Sequence, residues 1–169
     1  MKPNKQKGEK LKFDIWKTAN PVRAKGYRQA FPSRFLLYFK RDFVKENDKV
    51  LSLFSGYSEE FDTVDINPES KAKIIGDALK LDFKGEYDVI LADPPYNEQF
   101  AKEWNVPYPK PFDIMRACNQ YVKRGGIVAL LHILIVPPPK DTDLVRTHII
   151  AIPTGSHNAI RVLNVYKKS

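Results

Sequence analysis

Short apolar runs separated by polar breaks make up most of the chain, and the breaks hold the residues with chemistry. Val89, Ile90, Leu91 and Ala92 form a run suited to a strand buried on both faces. Pro94-Pro95 must end it, because proline donates no ladder hydrogen bond. Val50 to Phe54 predicts a second such strand closed by Gly56, and residues 61–68 and 73–78 predict two more, carrying Asp65 and Asp77 at their ends. Residues 127–134 predict a fifth, with His132 inside it as a packed core histidine, stopped by Pro137-Pro138-Pro139. Residues 147–153 and 159–166 then predict two strands joined by a hairpin loop over 154–158.

Two stretches carry the helical period instead. Residues 31–43 place Pro32 in a first turn and Phe35, Leu36, Phe39 and Phe43 on one face. Asp113 to Lys123 places Ile114, Ala117, Cys118, Tyr121 and Val122 on one side, and Gly125-Gly126 reads as its cap. Only eight residues lie between Gly56 and Asp65, whereas a crossover between parallel strands ordinarily takes a dozen or more. The first crossover helix is therefore shortened to about one turn, near Ser58 to Phe61, or replaced by a loop. The expected fold class is α/β: a Rossmann-like seven-stranded sheet, mostly parallel, with a C-terminal antiparallel hairpin.

Composition narrows the function classes. The 169 residues suit one domain, and no stretch approaches the roughly 18 consecutive apolar residues of a membrane span. The N-terminus lacks a signal-peptide apolar core, so the expectation is a cytoplasmic protein with no membrane partner. A single cysteine, Cys118, excludes an internal disulfide and gives no zinc spacing, so no metal site is expected.

Charge is uneven. Residues 1–49 hold 14 Lys or Arg against 5 Asp or Glu, while residues 50–169 hold 14 against 15. Residues 1–29 thus read as a basic, partly flexible N-terminal arm, and residues 30–169 as the folded domain. Such an arm is either a solvated tail or a phosphate-binding element. Lys17, Arg23, Lys25 and Arg28, interleaved with Trp16, Tyr27 and Phe31, are the candidate nucleic-acid contacts within it, although aromatic residues at this density serve equally as core.

The sharpest motif is Asp93-Pro94-Pro95-Tyr96, at the C-terminal end of a predicted strand, the edge where open α/β sheets bind ligands. It resembles the catalytic motif of the class I S-adenosylmethionine-dependent methyltransferases that modify exocyclic base amino groups, above all adenine N6 in DNA. An aromatic amine is a poor nucleophile because its lone pair is delocalised into the ring. The resemblance implies that Asp93 and the Pro94 carbonyl accept the two amino hydrogens, favouring the pyramidal amine that reacts. Pro94 and Pro95 would stiffen the loop, and Tyr96 would stack on a base rotated out of its helix.

Other segments extend the resemblance. Phe31-Pro32-Ser33 is similar to the segment that precedes the cofactor-binding strand in many of these enzymes. Phe54-Ser55-Gly56 resembles the first cofactor motif, with Ser58 where a second glycine is usual. Asp65-Ile66-Asn67-Pro68 resembles the second, implying that Asp65 accepts the ribose hydroxyls and Ile66 covers one face of the adenine. Asp77 and Ala78 would meet the adenine edge. The loop after Tyr96 would contact nucleic acid, with Asn97 and Trp104 as candidates and Tyr108 as a further stacking residue. A terminal antiparallel hairpin also suits this fold better than a dinucleotide dehydrogenase. The implied cofactor is S-adenosylmethionine and the implied partner is nucleic acid, DNA before RNA. Guanine-N2 or adenine-N6 transfer to RNA and a non-catalytic nucleic-acid-binding subunit are the alternatives. The chain has no room for a separate target-recognition domain, so a partner subunit for target recognition is a further expectation.

Overall fold

The computed structural model describes residues 10–18, 31–154 and 159–169. Arg23, Lys25, Arg28 and the central residues of the expected hairpin loop lie outside them. Along the chain run β1 (Lys12–Ile15), α1 (Phe35–Phe43), β2 (Val50–Leu53), β3 (Asp62–Asp65), β4 (Ile74–Ile75), β5 (Tyr87–Ala92), α2 (Glu98–Glu103), α3 (Pro111–Tyr121), β6 (Val122–His132), β7 (Leu144–Thr154) and β8 (Ala159–Lys168).

The strands form one sheet in the order β1-β7-β8-β6-β5-β2-β3-β4. The pairings from β4 across to β6 are parallel. β8 is antiparallel to both β6 and β7. The mostly parallel sheet with its antiparallel C-terminal hairpin is thus as expected, with one strand more than the seven.

Alternation along the central strands divides the core in two. Leu51, Leu53, Ile90 and Ala92 pack on one face with Ile114, Cys118 and Tyr121 of α3. Val50, Val89 and Leu91 pack on the other with Phe35, Phe39 and Phe43 of α1. Successive side chains of a strand point to opposite faces, so a strand covered on both sides reads as the continuous apolar run seen in the sequence. Cys118 is fully buried, as its place in the helical pattern required.

The additional strand is β1, which pairs in parallel with β7 through Lys12↔His148 to Ile15↔Ala151. It brings in Trp16, buried at 3% exposure, whose ring meets Phe35, Tyr38 and Phe43 at centroid distances of 5.8, 5.8 and 6.0 Å. Trp16 is therefore core, and the segment read as an arm contributes an edge strand to the domain. Of the lysines and arginines proposed there to meet nucleic acid, Lys17 is described, and it is exposed.

Element boundaries differ from the sequence reading for local reasons. α1 begins at Phe35, since Arg34 sits at φ 68°, a left-handed turn that a helix cannot continue through. Phe31 stacks on Phe35 with centroids 5.0 Å apart, so it joins that core. No helix links β2 to β3; a turn closed by the Ser58 amide on the Ser55 carbonyl (3.0 Å) stands in its place. α3 ends at Tyr121, and β6 starts at once. Tyr87 pairs with Val122 but Val89 with Ile127, so residues 123–126 bulge out of the ladder. Gly125, at φ 77°, and Gly126 serve that bulge, not a helix cap. A Cβ on Gly126 would lie 2.7 Å from both the Asp88 carbonyl oxygen and Val122 Cγ2.

Candidate active site

β2, β3 and β5 end side by side, and each delivers a polar group to the same edge of the sheet. Beyond β2 the chain bends sharply, with Phe54 at φ 58° and Gly56 at φ 55°. The Asp65 carboxylate, at the end of β3, clamps this bend: Oδ2 accepts the Gly56 amide and Oδ1 the Asn67 amide, each at 2.8 Å. Each oxygen keeps a further acceptor direction, because a carboxylate has about four lone-pair sites. Next to the clamp, Ser55 Oγ is buried without a hydrogen-bond partner.

These groups border a cavity of about 660 Å³, lined by Phe54, Gly56, Asp65 and Ile66 and, across from them, by Pro95 and Trp104. Its volume lies within the range of small-molecule sites. Ile66, 37% exposed, offers an apolar surface, while Asp65 and Asn67 offer polar ones. An adenosine-bearing ligand fits that combination of an apolar plate and hydroxyl-binding acceptors.

Asp77 and Ala78 are not part of this lining. Asp77 Oδ1 accepts the Leu79 amide at 2.9 Å and Oδ2 pairs with Lys80 at 3.2 Å. Ala78 is buried, and its carbonyl accepts the Tyr121 hydroxyl at 3.1 Å. Both therefore make the turn after β4.

Asp93 follows directly from β5, and its amide donates to the Leu53 carbonyl at 3.3 Å, which ties it to the bend after β2. Desolvation pushes its carboxyl up to about 6, against the lowering effects of the Arg161 guanidinium and of the hydrogen bond from Tyr96. The Tyr96 hydroxyl donates to Asp93 Oδ1 at 2.8 Å. Burial and the Asp93 charge together hold that phenol well above its ordinary range. The guanidinium of Arg161, on β8, lies 5.6 Å from the Tyr96 ring centroid.

Around Tyr96 the aromatic side chains form a row. Phe100 stands edge-on to it at 6.4 Å, and Trp104 stacks on Phe100 at 5.8 Å with an interplanar angle of 20°. The row is helical in origin, since these residues recur every four positions along α2 and its flanks. Asn97 caps that helix, its side chain accepting the Phe100 amide at 2.9 Å. Its side chain is thereby engaged within the fold. Pro95 and Trp104 line the cavity wall, whereas Asp93, Pro94 and Tyr96 are not part of its lining; Tyr96 links Asp93 to the aromatic row that ends in Trp104.

Two residues of this neighbourhood were not expected there. His132, buried at 1% exposure, lies edge-on to Tyr96 with centroids 5.4 Å apart. Arg161 comes from a strand predicted only for its apolar alternation. The sequence offers one signal for each: a polar residue close to a strand end, which tertiary pairing alone carries to Asp93. Among the described residues no group of three or more His, Cys, Asp or Glu side chains is arranged to bind a metal, and no helix is long and apolar enough to cross a membrane.

No protein-family model and no curated protein matches the chain. Solved structures do. TrmN from Thermus thermophilus superposes with a TM-score of 0.63 at 18% identity, over 84% of this chain and 50% of that one. The present chain thus spans half the length of that structure. A geranyl diphosphate C-methyltransferase from Streptomyces coelicolor A3(2), in complex with S-adenosyl-L-homocysteine, gives 0.55 at 10% identity, over 79% of this chain and 77% of that one. A SAM-dependent methyltransferase from Methanosarcina mazei gives 0.51 at 12% identity, over 76% and 95%. At these identities the likeness establishes the architecture: the chain has the fold of S-adenosylmethionine-dependent methyltransferases.

Proposed function

We propose that the protein transfers a methyl group from S-adenosylmethionine to an exocyclic amino group of a nucleic-acid base, adenine N6 in DNA first. One observation carries this reading. The cavity bordered by Asp65 and Ile66 reaches Pro95, so a ligand held there would present its far end to Asp93 and Pro94. Bound in that cavity, S-adenosylmethionine would supply an electrophilic methyl group. Asp65 would take the ribose hydroxyls on its remaining acceptor directions, Ile66 would cover the adenine, and the Phe54-Ser55-Gly56 bend would face the methionine part. Asp77 and Ala78 would act more remotely, by shaping the turn beside the adenine.

At the reacting end Asp93 and the Pro94 carbonyl orient the amine. As acceptors for its two hydrogens they favour the pyramidal nitrogen and free its lone pair. Pro94 and Pro95 restrict the loop, so little rearrangement is needed when the amine arrives. The cationic methylated amine then sheds a proton, which the Asp93 carboxylate would take and release to solvent. For an amine to reach Asp93, the Tyr96 hydroxyl must leave it; the ring is then available to stack on the base. Phe100 and Trp104 would extend that stacking surface. Lys17, Arg23, Lys25 and Arg28, with the other lysines of the N-terminal segment, would contact phosphates, and a partner subunit would supply target recognition.

The test is transfer of labelled methyl from S-adenosylmethionine to duplex DNA, single-stranded DNA and RNA, with Asp93→Ala in parallel. The expected result is label in DNA, lowered at least about 100-fold by the substitution. Cofactor affinity by calorimetry should stay within a few-fold. Label in RNA alone would favour the guanine-N2 or adenine-N6 RNA reading. Absence of any heat with S-adenosylmethionine would favour the non-catalytic subunit, to which the loop in place of the first crossover helix lends support.

A further inference from the structure

His132 ends β6, two residues beyond Leu130, which pairs with Ala92, the last residue of β5. It therefore sits beside the Asp93-Pro94 turn. Its Nδ1 accepts the Leu134 amide at 3.1 Å, which fixes the tautomer: in the neutral ring the proton is on Nε2. Burial lowers the pKa of this imidazole, so at neutral pH the ring is uncharged and Nε2–H is its one donor. That Nε2 is buried and has no hydrogen-bond partner. A buried donor left unpaired is costly, and such atoms call for a functional account.

Tyr96 packs against this imidazole. Its ring lies edge-on to the His132 ring, and its hydroxyl fills Asp93 Oδ1. Under the proposed function that hydroxyl has to give way to the substrate amine. The movement that frees the Asp93 acceptor thus also removes a ring packed against His132. An acceptor for an amine hydrogen beside a donor matches a base edge on which an amine is flanked by an unprotonated ring nitrogen. Adenine offers that arrangement on both sides of N6, through N1 and N7. Guanine opposes it on one side of N2, where N1 carries a hydrogen.

We propose that His132 Nε2–H reads the ring nitrogen flanking the target amine, after Tyr96 turns away from Asp93, and so makes His132 a specificity-determining residue. The inference rests on the base-amine reading of the site. Tyr96 is then a plug as well as a stacking surface: in the free protein it occupies Asp93, the acceptor the substrate needs, and packs against the His132 ring.

The experiment compares oligonucleotides carrying adenine, 1-deazaadenine or 7-deazaadenine at the target position, with the full chain and its His132→Leu and His132→Asn variants. The wild type should lose about 10- to 100-fold in kcat/KM with one of the two analogues, the one lacking the nitrogen that His132 meets. His132→Leu should be slower on adenine but should no longer prefer it over that analogue. His132→Asn, which keeps an N–H donor, should recover part of the preference. Equal use of all three bases by the wild type overturns the inference, as does a preference that survives in His132→Leu. If His132→Leu proves unfolded by circular dichroism, the wild-type analogue series decides alone. Failure of methyl transfer to ordinary adenine would instead sink the proposed function, a result distinct from transfer without discrimination.

Discussion

Replacing Asp93 by Asn should stabilise the protein at the pH where it works. Desolvation raises the Asp93 carboxyl from 3.8 to about 6, so the folded protein binds its proton more tightly than the unfolded chain does. A group with a raised folded pKa contributes stability below its unfolded value and loses that contribution as pH rises through the folded one. The loss for Asp93 accordingly develops between about pH 4 and pH 6 and is complete above. At about 1.4 kcal/mol per pH unit, the interval corresponds to ~3 kcal/mol at pH 8. Partial exposure of the residue brings the expected figure to roughly 1–3 kcal/mol. Asn cannot ionise, yet its side-chain oxygen still accepts the Tyr96 hydroxyl. Urea denaturation of wild type and Asp93→Asn at pH 8 and pH 4, with equal m-values as the control, measures the effect. The variant should be more stable at pH 8 and near wild type at pH 4. A variant less stable at pH 8, or a difference of equal size at both pH values, would refute the electrostatic argument.

Further predictions concern neighbouring groups and the core. Activity should fall as pH drops through about 6, because protonated Asp93 loses acceptor capacity, and Arg161→Met should move that midpoint upward, since Arg161 lowers the Asp93 pKa. A midpoint that stays put or moves down would show that Arg161 does not act on the carboxylate. Gly126→Ala should destabilise by about 1–3 kcal/mol in urea, because its Cβ would meet backbone and Val122 at 2.7 Å; wild-type stability would contradict the bulge geometry. Trp16→Ala should cost about 3–5 kcal/mol, as expected of a buried aromatic residue. A Trp16→Ala variant of full stability but weakened nucleic-acid binding would return Trp16 to the stacking role.

The middle of the sheet was legible from β5, whose Val89 to Ala92 are buried on both faces and leave an uninterrupted apolar run with a polar residue at each end. Asp65, Gly56 and Asp93 were readable for the same reason: strand ends in a parallel sheet share one edge, so spacing along the chain becomes proximity in space. β1 escaped because Lys12 to Ile15 are all exposed, and their partner lies more than 130 residues away, at His148 to Ala151. The start of β6 escaped because Gly125-Gly126 has the look of a helix cap, and the bulge that uses it is defined only by pairing with β5. His132 and Arg161 were hidden by a different limit. A histidine inside an apolar strand reads as core, and an arginine on a hairpin strand as a solvated face, until sheet order carries both to Tyr96.

The most direct test of the account is the identity of the methylated nucleoside. Duplex DNA, single-stranded DNA and RNA would each be incubated with isotopically labelled S-adenosylmethionine and the protein, digested, and analysed by mass spectrometry. The account predicts label in N6-methyl-2′-deoxyadenosine, absent with Asp93→Ala. Label on a ring carbon, on the sugar, or on no nucleoside while calorimetry shows the cofactor bound, would contradict a site built around an exocyclic amine.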